Sequence, residues 1–198
     1  MKMQLTRIGS GIKRPFKLEE IWRIRTLLEL ENDLMQLALL NLAIDSKLRS
    51  SDLLKLRVYD VSSEGVVHER VQCLQQKTGF DVHFEITPRT QQSIGRWLFS
   101  SSLDGTCYLF PSSRRKGQSI SYSFYRSIIR NWASKLGLNA DNYGAHSMRR
   151  TKATLIYAWT KNIRAVQILL GHTKLDSTIR YLGVELEDAL RLSEQTDC

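Results

Sequence analysis

The stretch Leu34–Ile44 is apolar on almost every side of a helix, and few folds can accommodate it. A surface helix carries an apolar stripe, whereas a helix apolar all round must be enclosed. Gln36 and Asn41 interrupt the run, and Asp33 and Asp45 bound it. It is about half the ~20 residues that a membrane span requires. The helix is therefore expected to be buried, with Asp33 as its N-cap. A length of 198 residues suffices for one such core. With 42% hydrophobic and 25% charged residues, intrinsic disorder is excluded. The basic leader Met1 to Pro15 has no apolar h-region, so no secretory signal is read there. Cys73, Cys107 and Cys198 are odd in number and lack metal-ligand spacing, which suits reduced thiols in a cytoplasmic protein.

The other expected elements follow from periodicity. Ile21, Ile24, Leu27 and Leu28 give helical spacing over Leu18–Leu30. Ser50, Ser51 and Asp52 offer caps for a short helix through Leu53, Leu54 and Leu56. Val66–Gln75 and Phe80–Ile86 flank Lys77-Thr78-Gly79, a pattern that predicts one antiparallel hairpin. Pro88 opens a further helix, and 100–119 is mostly loop. Phe124, Ile128, Trp132 and Leu136 then mark a helix stopped by Gly137. Helices are also expected over Met148–Trp159, Ile163–Leu170, Leu175–Leu182 and Glu185–Ser193. The fold class is α+β: mainly helical, with a small antiparallel β-sheet.

Charge divides the chain. Between Ser113 and Tyr181 there are 13 Lys and Arg against two acids, a local +11, while the remainder of the chain sums to −2. The stretch Leu182–Cys198 carries five acids and one base. A concentrated basic face favours a polyanion, because Lys and Arg release the counterions condensed on a phosphate backbone. A basic face kept for solubility explains the charge equally well.

Several polar residues stand out from the local patterns: Arg49, Lys77, His146, Arg149, His172 and Tyr181. Each has an ordinary structural explanation on its own. His172 after Gly171 suits a helix C-cap, and Tyr181 suits a core position with a wet hydroxyl. Lys77 suits a solubilising turn. Their order and spacing are another matter. Arg49 precedes Lys77, then His146-x-x-Arg149 is followed after 22 residues by His172 in Leu-Gly-His, and after eight more by Tyr181. This pattern resembles the catalytic domain of the tyrosine recombinase (phage integrase) family over about Leu18–Leu192.

The resemblance implies a role for each residue. Tyr181 attacks the scissile phosphodiester and becomes a 3′-phosphotyrosyl ester, so resealing needs no ATP. Arg49 and Arg149 grip the nonbridging oxygens with planar, permanently charged donors, and His172 donates to the same phosphate. Lys77 protonates the departing 5′-oxygen, and His146 serves as base or hydrogen-bond partner to the phenol. No metal or other cofactor is implied. Residues expected to contact DNA are Arg114, Arg115, Lys116, Arg126, Arg130, Arg150 and Lys152, with Arg126 and Arg130 on a helix that is a candidate for a groove. The implied activity is site-specific recombination in the service of integration, excision, inversion or resolution. The implied partners are double-stranded DNA, three further copies of the chain in a homotetramer on paired sites, and an accessory directionality factor. The implied location is the bacterial cytoplasm, in association with the nucleoid, and no membrane partner is implied.

Some features depart from the family pattern. Residues 1–17 form a short basic leader where fuller members carry a DNA-clamp domain of about a hundred residues. The chain is thus expected to be either a fragment or a short single-domain relative, such as those that invert fimbrial promoter switches. Residues 18–183 form the catalytic domain, and 184–198 an acidic C-terminal helix that docks on a neighbouring protomer. Met148 stands where Leu is commoner, and Asp52 where Glu is frequent. Three other readings fit parts of the sequence: a non-catalytic DNA-binding regulator on the same scaffold, a type IB topoisomerase, and an unrelated helix-turn-helix regulator. The first conflicts with the complete set of six residues. The second conflicts with the acidic tail and the Leu-Gly-His form, and the third leaves Lys77 and Tyr181 unexplained.

Overall fold

The computed structural model describes residues 13–182 together with Glu194. The first half contains α1 (Leu18–Leu30), α2 (Leu34–Ser46), α3 (Ser50–Leu53), α4 (Val58–Val61) and the strands β1 (Ser62–Ser63), β2 (Val66–Val67), β3 (Arg70–Leu74) and β4 (Asp81–Glu85). The second contains α5 (Pro88–Ser101), α6 (Tyr122–Lys135), a 3₁₀ turn at Ala140–Asn142, α7 (Ala145–Thr160), α8 (Ile163–Leu170) and α9 (Leu175–Leu182).

Every residue of α2 from Leu37 to Ser46 is buried, as its all-round apolarity demands. Asp33 caps it, its carboxylate accepting from the Gln36 N–H at 2.9 Å. Helices α1, α5 and α7 and strand β4 enclose it. Among the described residues no helix is long and apolar enough to cross a membrane. A second, smaller cluster lies beside this core: Ala153, Val166 and Leu170, with Tyr181 and Leu182 against them. It joins the C-terminal part of α7 to α8 and α9.

Three expectations are corrected. The run Val66–Gln75 is not one strand. Glu64 and Gly65 both have positive φ, +50° and +81°, a two-residue turn that folds β2 back on β1. Only β3 pairs with β4, with Cys73 opposite Val82. In α3, Arg49 and not a serine occupies the N-cap position, and Asp52 instead turns its Oδ1 to the Gln76 N–H at 3.2 Å. In α6 the buried face begins at Tyr125 and not at Phe124, which is half exposed. The acidic helix expected within 184–198 lies outside the described residues, except for Glu194, which is helical and exposed.

An ionic node closes the C-terminal end of α2. Lys152 of α7 reaches Asp45 at 2.8 Å and Glu85 of β4 at 2.5 Å. Asp45 also accepts from the hydroxyls of Thr87 and Thr90. Burial works to raise the Asp45 carboxyl, but Lys152 and the two hydroxyls hold it below the usual range. Lys47 is fully buried beside Glu85 at 3.6 Å. Burial, aided by the nearby Lys152 charge, lowers its ammonium to about 8. This node fixes α2, β4 and α7 to one another, and those elements lead to Arg49, Lys77 and Arg149.

Candidate active site

Five segments converge on one open cleft of about 330 Å³. The N-cap of α3 contributes Arg49, the β3–β4 turn contributes Lys77, and the first turns of α7 contribute His146 and Arg149. The α8–α9 junction supplies His172, and α9 supplies Tyr181. All six line the cleft, together with Thr78, Gly171, Thr173 and Ser177. Residues up to 132 positions apart are thus brought to one place by the packing of α3, the hairpin and α7 to α9.

Local chemistry explains the placement of each. Gly144 leads into α7 and donates its N–H to the Ser147 hydroxyl at 3.1 Å, so His146 and Arg149 leave the same first turns. Gly171 ends α8 at φ +61°, and the His172 N–H then reaches back to the Gln167 carbonyl at 3.1 Å. This glycine-terminated helix end is the usual device for reversing a chain. It aims the His172 ring at Tyr181, edge to face with centroids 5.4 Å apart. The His172 Nδ1 also lies 3.1 Å from the Thr178 hydroxyl.

Gly171 is constrained twice. A Cβ there would meet the Val82 side chain at 2.6 Å, in a backbone conformation that side chains rarely adopt. Gly171→Ala is expected to lower stability by about 2–4 kcal/mol, combining the αL penalty with overpacking. Urea denaturation of the two proteins measures this directly, and equal midpoints would contradict the close approach.

The cleft gathers positive charge and buried polar atoms without hydrogen-bond partners among the described residues. Arg149 is buried and donates from Nη2 to the Leu170 carbonyl at 2.6 Å, but its Nη1 has no partner among the described residues. The Tyr181 hydroxyl is likewise buried and unpartnered. Unsatisfied buried donors are costly and rare in folded proteins. Burial pushes the Tyr181 phenol up to about 12, against the opposing pull of Arg149, Arg150 and Arg49. Burial also lowers Arg149 to about 10, although Tyr181 and Asp52 favour its charge. Asp52 lies buried nearby with Oδ2 unpaired.

Both histidines are disfavoured as cations. Burial, then the charges of Arg149 and Arg49, lowers His172 to about 4. Partial desolvation and the cations Arg149, Arg150, Arg49 and Lys77 lower His146. The unfolded chain should take up a proton at His172 near pH 6.5 that the folded chain refuses until about 4, so this group erodes stability as the pH falls across that window. Imidazole NMR of the DNA-free protein should show no His172 titration between pH 5.5 and 8. A midpoint near 6.5 would contradict the burial described here.

The residues expected to meet DNA fall into two groups. Arg114, Arg115, Lys116 and Arg126 are exposed, and Arg114 and Arg115 flank a groove lined by Met35, Trp97, Ile120 and Phe124. Arg130 is committed to Asp141 at 2.7 Å. Arg150 and Lys152 face inward. Arg150 donates to the Lys13 carbonyl at 2.9 Å and lies over the Tyr181 ring at 5.5 Å, while Lys152 belongs to the Asp45–Glu85 node. Their burial follows from the turn of α7 on which they lie, packed between α2 and α9. Among the described residues no cluster of three His, Cys, Asp or Glu converges as a metal site.

Sequence reasoning did not single out Gln75. It is buried at the end of β3, accepts from Arg49 Nη1, and donates to the Leu170 carbonyl at 3.3 Å. Its only sequence signal was a polar residue closing an alternating strand.

Comparison with known proteins assigns the chain to a family. The phage integrase family matches residues 16–187. The chain is 31% identical over 148 residues to the probable integrase/recombinase YoeC of Bacillus subtilis (strain 168), covering 75% of this chain and 76% of YoeC. It is 30% identical over 173 residues to the tyrosine recombinase XerD of Yersinia pestis, covering 82% of this chain and 54% of XerD. The structure of the XerH site-specific recombinase bound to palindromic difH substrate matches with a TM-score of 0.71 at 17% identity, covering 96% of this chain and 55% of that one. The chain therefore belongs to the phage integrase family and has the fold of a tyrosine recombinase catalytic domain. It spans about half the length of the Xer recombinases that it matches.

Proposed function

We propose that this chain cleaves and rejoins double-stranded DNA at specific sites through a 3′-phosphotyrosyl intermediate. The observation that carries this is the pairing of a buried, unpartnered Tyr181 hydroxyl with an unpartnered Arg149 nitrogen in one cleft with Arg49, Lys77, His146 and His172. A phosphodiester in that cleft meets forked donors from Arg49 and Arg149, whose charge offsets that building up in the pentacoordinate transition state. His172 adds a neutral N–H donor. Tyr181 Oη forms the new bond to phosphorus while the bond to the 5′-oxygen breaks. The phenolic proton passes to neutral His146, and Lys77 gives a proton to the departing 5′-oxygen. The same steps run backwards reseal the strand.

Lys77 suits its role because it sits exposed at a hairpin turn that can follow the DNA into a groove. Arg114, Arg115, Lys116 and Arg126 supply backbone contacts outside the cleft. Four chains act on a pair of sites, with the acidic segment 184–198 docking on a neighbouring copy and an accessory factor setting the direction of exchange. The work of the protein is integration, excision, inversion or resolution of DNA in the bacterial cytoplasm.

Covalent trapping tests the reading. The chain is incubated with nicked duplexes from the DNA that flanks its own gene, with EDTA present, and run on denaturing gels. A slow protein–DNA band resistant to EDTA is the expected result. Retarded native complexes with no covalent band would favour a regulator on the same scaffold.

A further inference from the structure

We propose that Gln75 is a positioning residue whose single amide sets the two arginines and the Lys77 turn relative to one another, so that phosphate grip and proton delivery are adjusted together. The proposal rests on the recombinase reading of the cleft and adds a coupling that none of the six cleft residues supplies alone.

The amide stands where three parts of the site meet. Its Oε1 accepts from Arg49 Nη1 and from the Thr78 hydroxyl, the latter at 3.0 Å and next to Lys77. Its Nε2 donates to the Leu170 carbonyl, which at the same time accepts from Arg149 Nη2 at 2.6 Å. The backbone of Gln75 holds the turn as well: its carbonyl accepts from the Gly79 N–H at 2.8 Å, and its N–H donates to the Phe80 carbonyl at 3.0 Å. One side chain thus touches the first arginine and the hairpin directly, and the second arginine through a shared acceptor.

A buried amide is an expensive choice at such a place unless its hydrogen bonds are made. No other residue type makes this set. Glutamate accepts from Arg49 and Thr78 but has no donor for Leu170, and its charge competes with the phosphate for Arg49. Leucine fills the volume and makes none of the bonds. The absence of a Cβ at Gly171 also makes room for this amide: a Cβ there would lie 3.1 Å from both of its polar atoms. Movement of the Lys77 turn toward DNA therefore pulls on Thr78 and Gln75, and through them on the Arg49 guanidinium.

Gln75→Leu and Gln75→Glu test this in two ways. In single-turnover cleavage, Gln75→Leu should bind DNA normally yet react about 10²-fold more slowly, the scale of loss produced by misplacing reacting groups by about 1 Å. The assay is repeated with sulfur in place of the bridging 5′-oxygen, because a thiolate leaves without a proton. Lys77→Ala should be rescued fully by sulfur and Arg49→Ala not at all. Gln75→Leu should be rescued in part, because it disturbs both, and Gln75→Glu should lie between the native chain and Gln75→Leu. A native rate for Gln75→Leu, or an equal loss on both substrates, would overturn the coupling.

The second readout needs no activity. Hydrogen exchange of the DNA-free protein should quicken at Gly79 and His172 together in Gln75→Leu, which loses every contact of the amide, with the amides of Leu37 to Asp45 unchanged. Faster exchange on one side only, or throughout the fold, would also overturn it. A native chain that never cleaves would remove the recombinase reading, while this second readout would still decide whether Gln75 links the hairpin to the α8–α9 junction.

Discussion

Tyr181→Phe is expected to bind DNA as the native chain does and to form no covalent adduct. The substitution removes one oxygen and little else. The ring remains seated by the His172 edge and by Arg150, neither of which needs the hydroxyl. That hydroxyl makes no well-formed hydrogen bond among the described residues, although it lies against Arg149 and favours its charge, so its removal should change stability little. The proposed chemistry, by contrast, loses its nucleophile. Native and denaturing gels run side by side on the same nicked duplex measure both effects. A residual adduct in the Phe variant would move the nucleophile elsewhere.

Arg149→Lys is the second large effect. Cleavage should slow by about 10²–10³-fold, the usual cost of removing one transition-state donor. The guanidinium donates from Nη2 to the Leu170 carbonyl and leaves Nη1 without a partner among the described residues, where the proposed chemistry places a phosphate oxygen. A lysine ammonium carries its three N–H donors on one atom and lacks the planar fork, so it cannot hold the Leu170 carbonyl and a phosphate oxygen in the same geometry. Burial already lowers the arginine to about 10. A lysine begins near 10.4, so the same burial should bring it closer to neutrality. Activity of the variant should therefore decline as the pH rises from 6 to 9, because the charged form is the one that grips phosphate. The native arginine stays charged over that range. A Lys variant as fast as the native chain would remove Arg149 from the grip.

How much was legible in the sequence depended on whether the cause was local. The enclosed α2, its Asp33 cap, the Lys77 turn and the Gly137 and Gly171 helix ends all rest on neighbours within a few residues, and all stand in the structure. Glu64-Gly65 was also a local signal, a hairpin turn overlooked because the valines after it extend an apparently continuous strand. Phe124 and Tyr125 both fit a helical stripe with Ile128, and only the packing of α6 decides which is buried. The roles of Gln75 and Lys152 were not legible. Two of the three side-chain partners of Gln75 lie 26 and 95 positions away, and Lys152 meets Asp45 across 107. Lys152 and Arg150 sit in a strongly basic segment, so charge alone pointed them at DNA. The turn of α7 points them inward.

The central claim is that Tyr181 becomes covalently joined to DNA. An adduct formed on a nicked duplex in EDTA is trimmed with nuclease, digested with trypsin and analysed by mass spectrometry. The account predicts a nucleotide mass on the peptide that begins at Tyr181, after cleavage at Arg180, joined through a 3′-phosphate. The same mass on any other peptide, or a 5′-linked nucleotide, would contradict it.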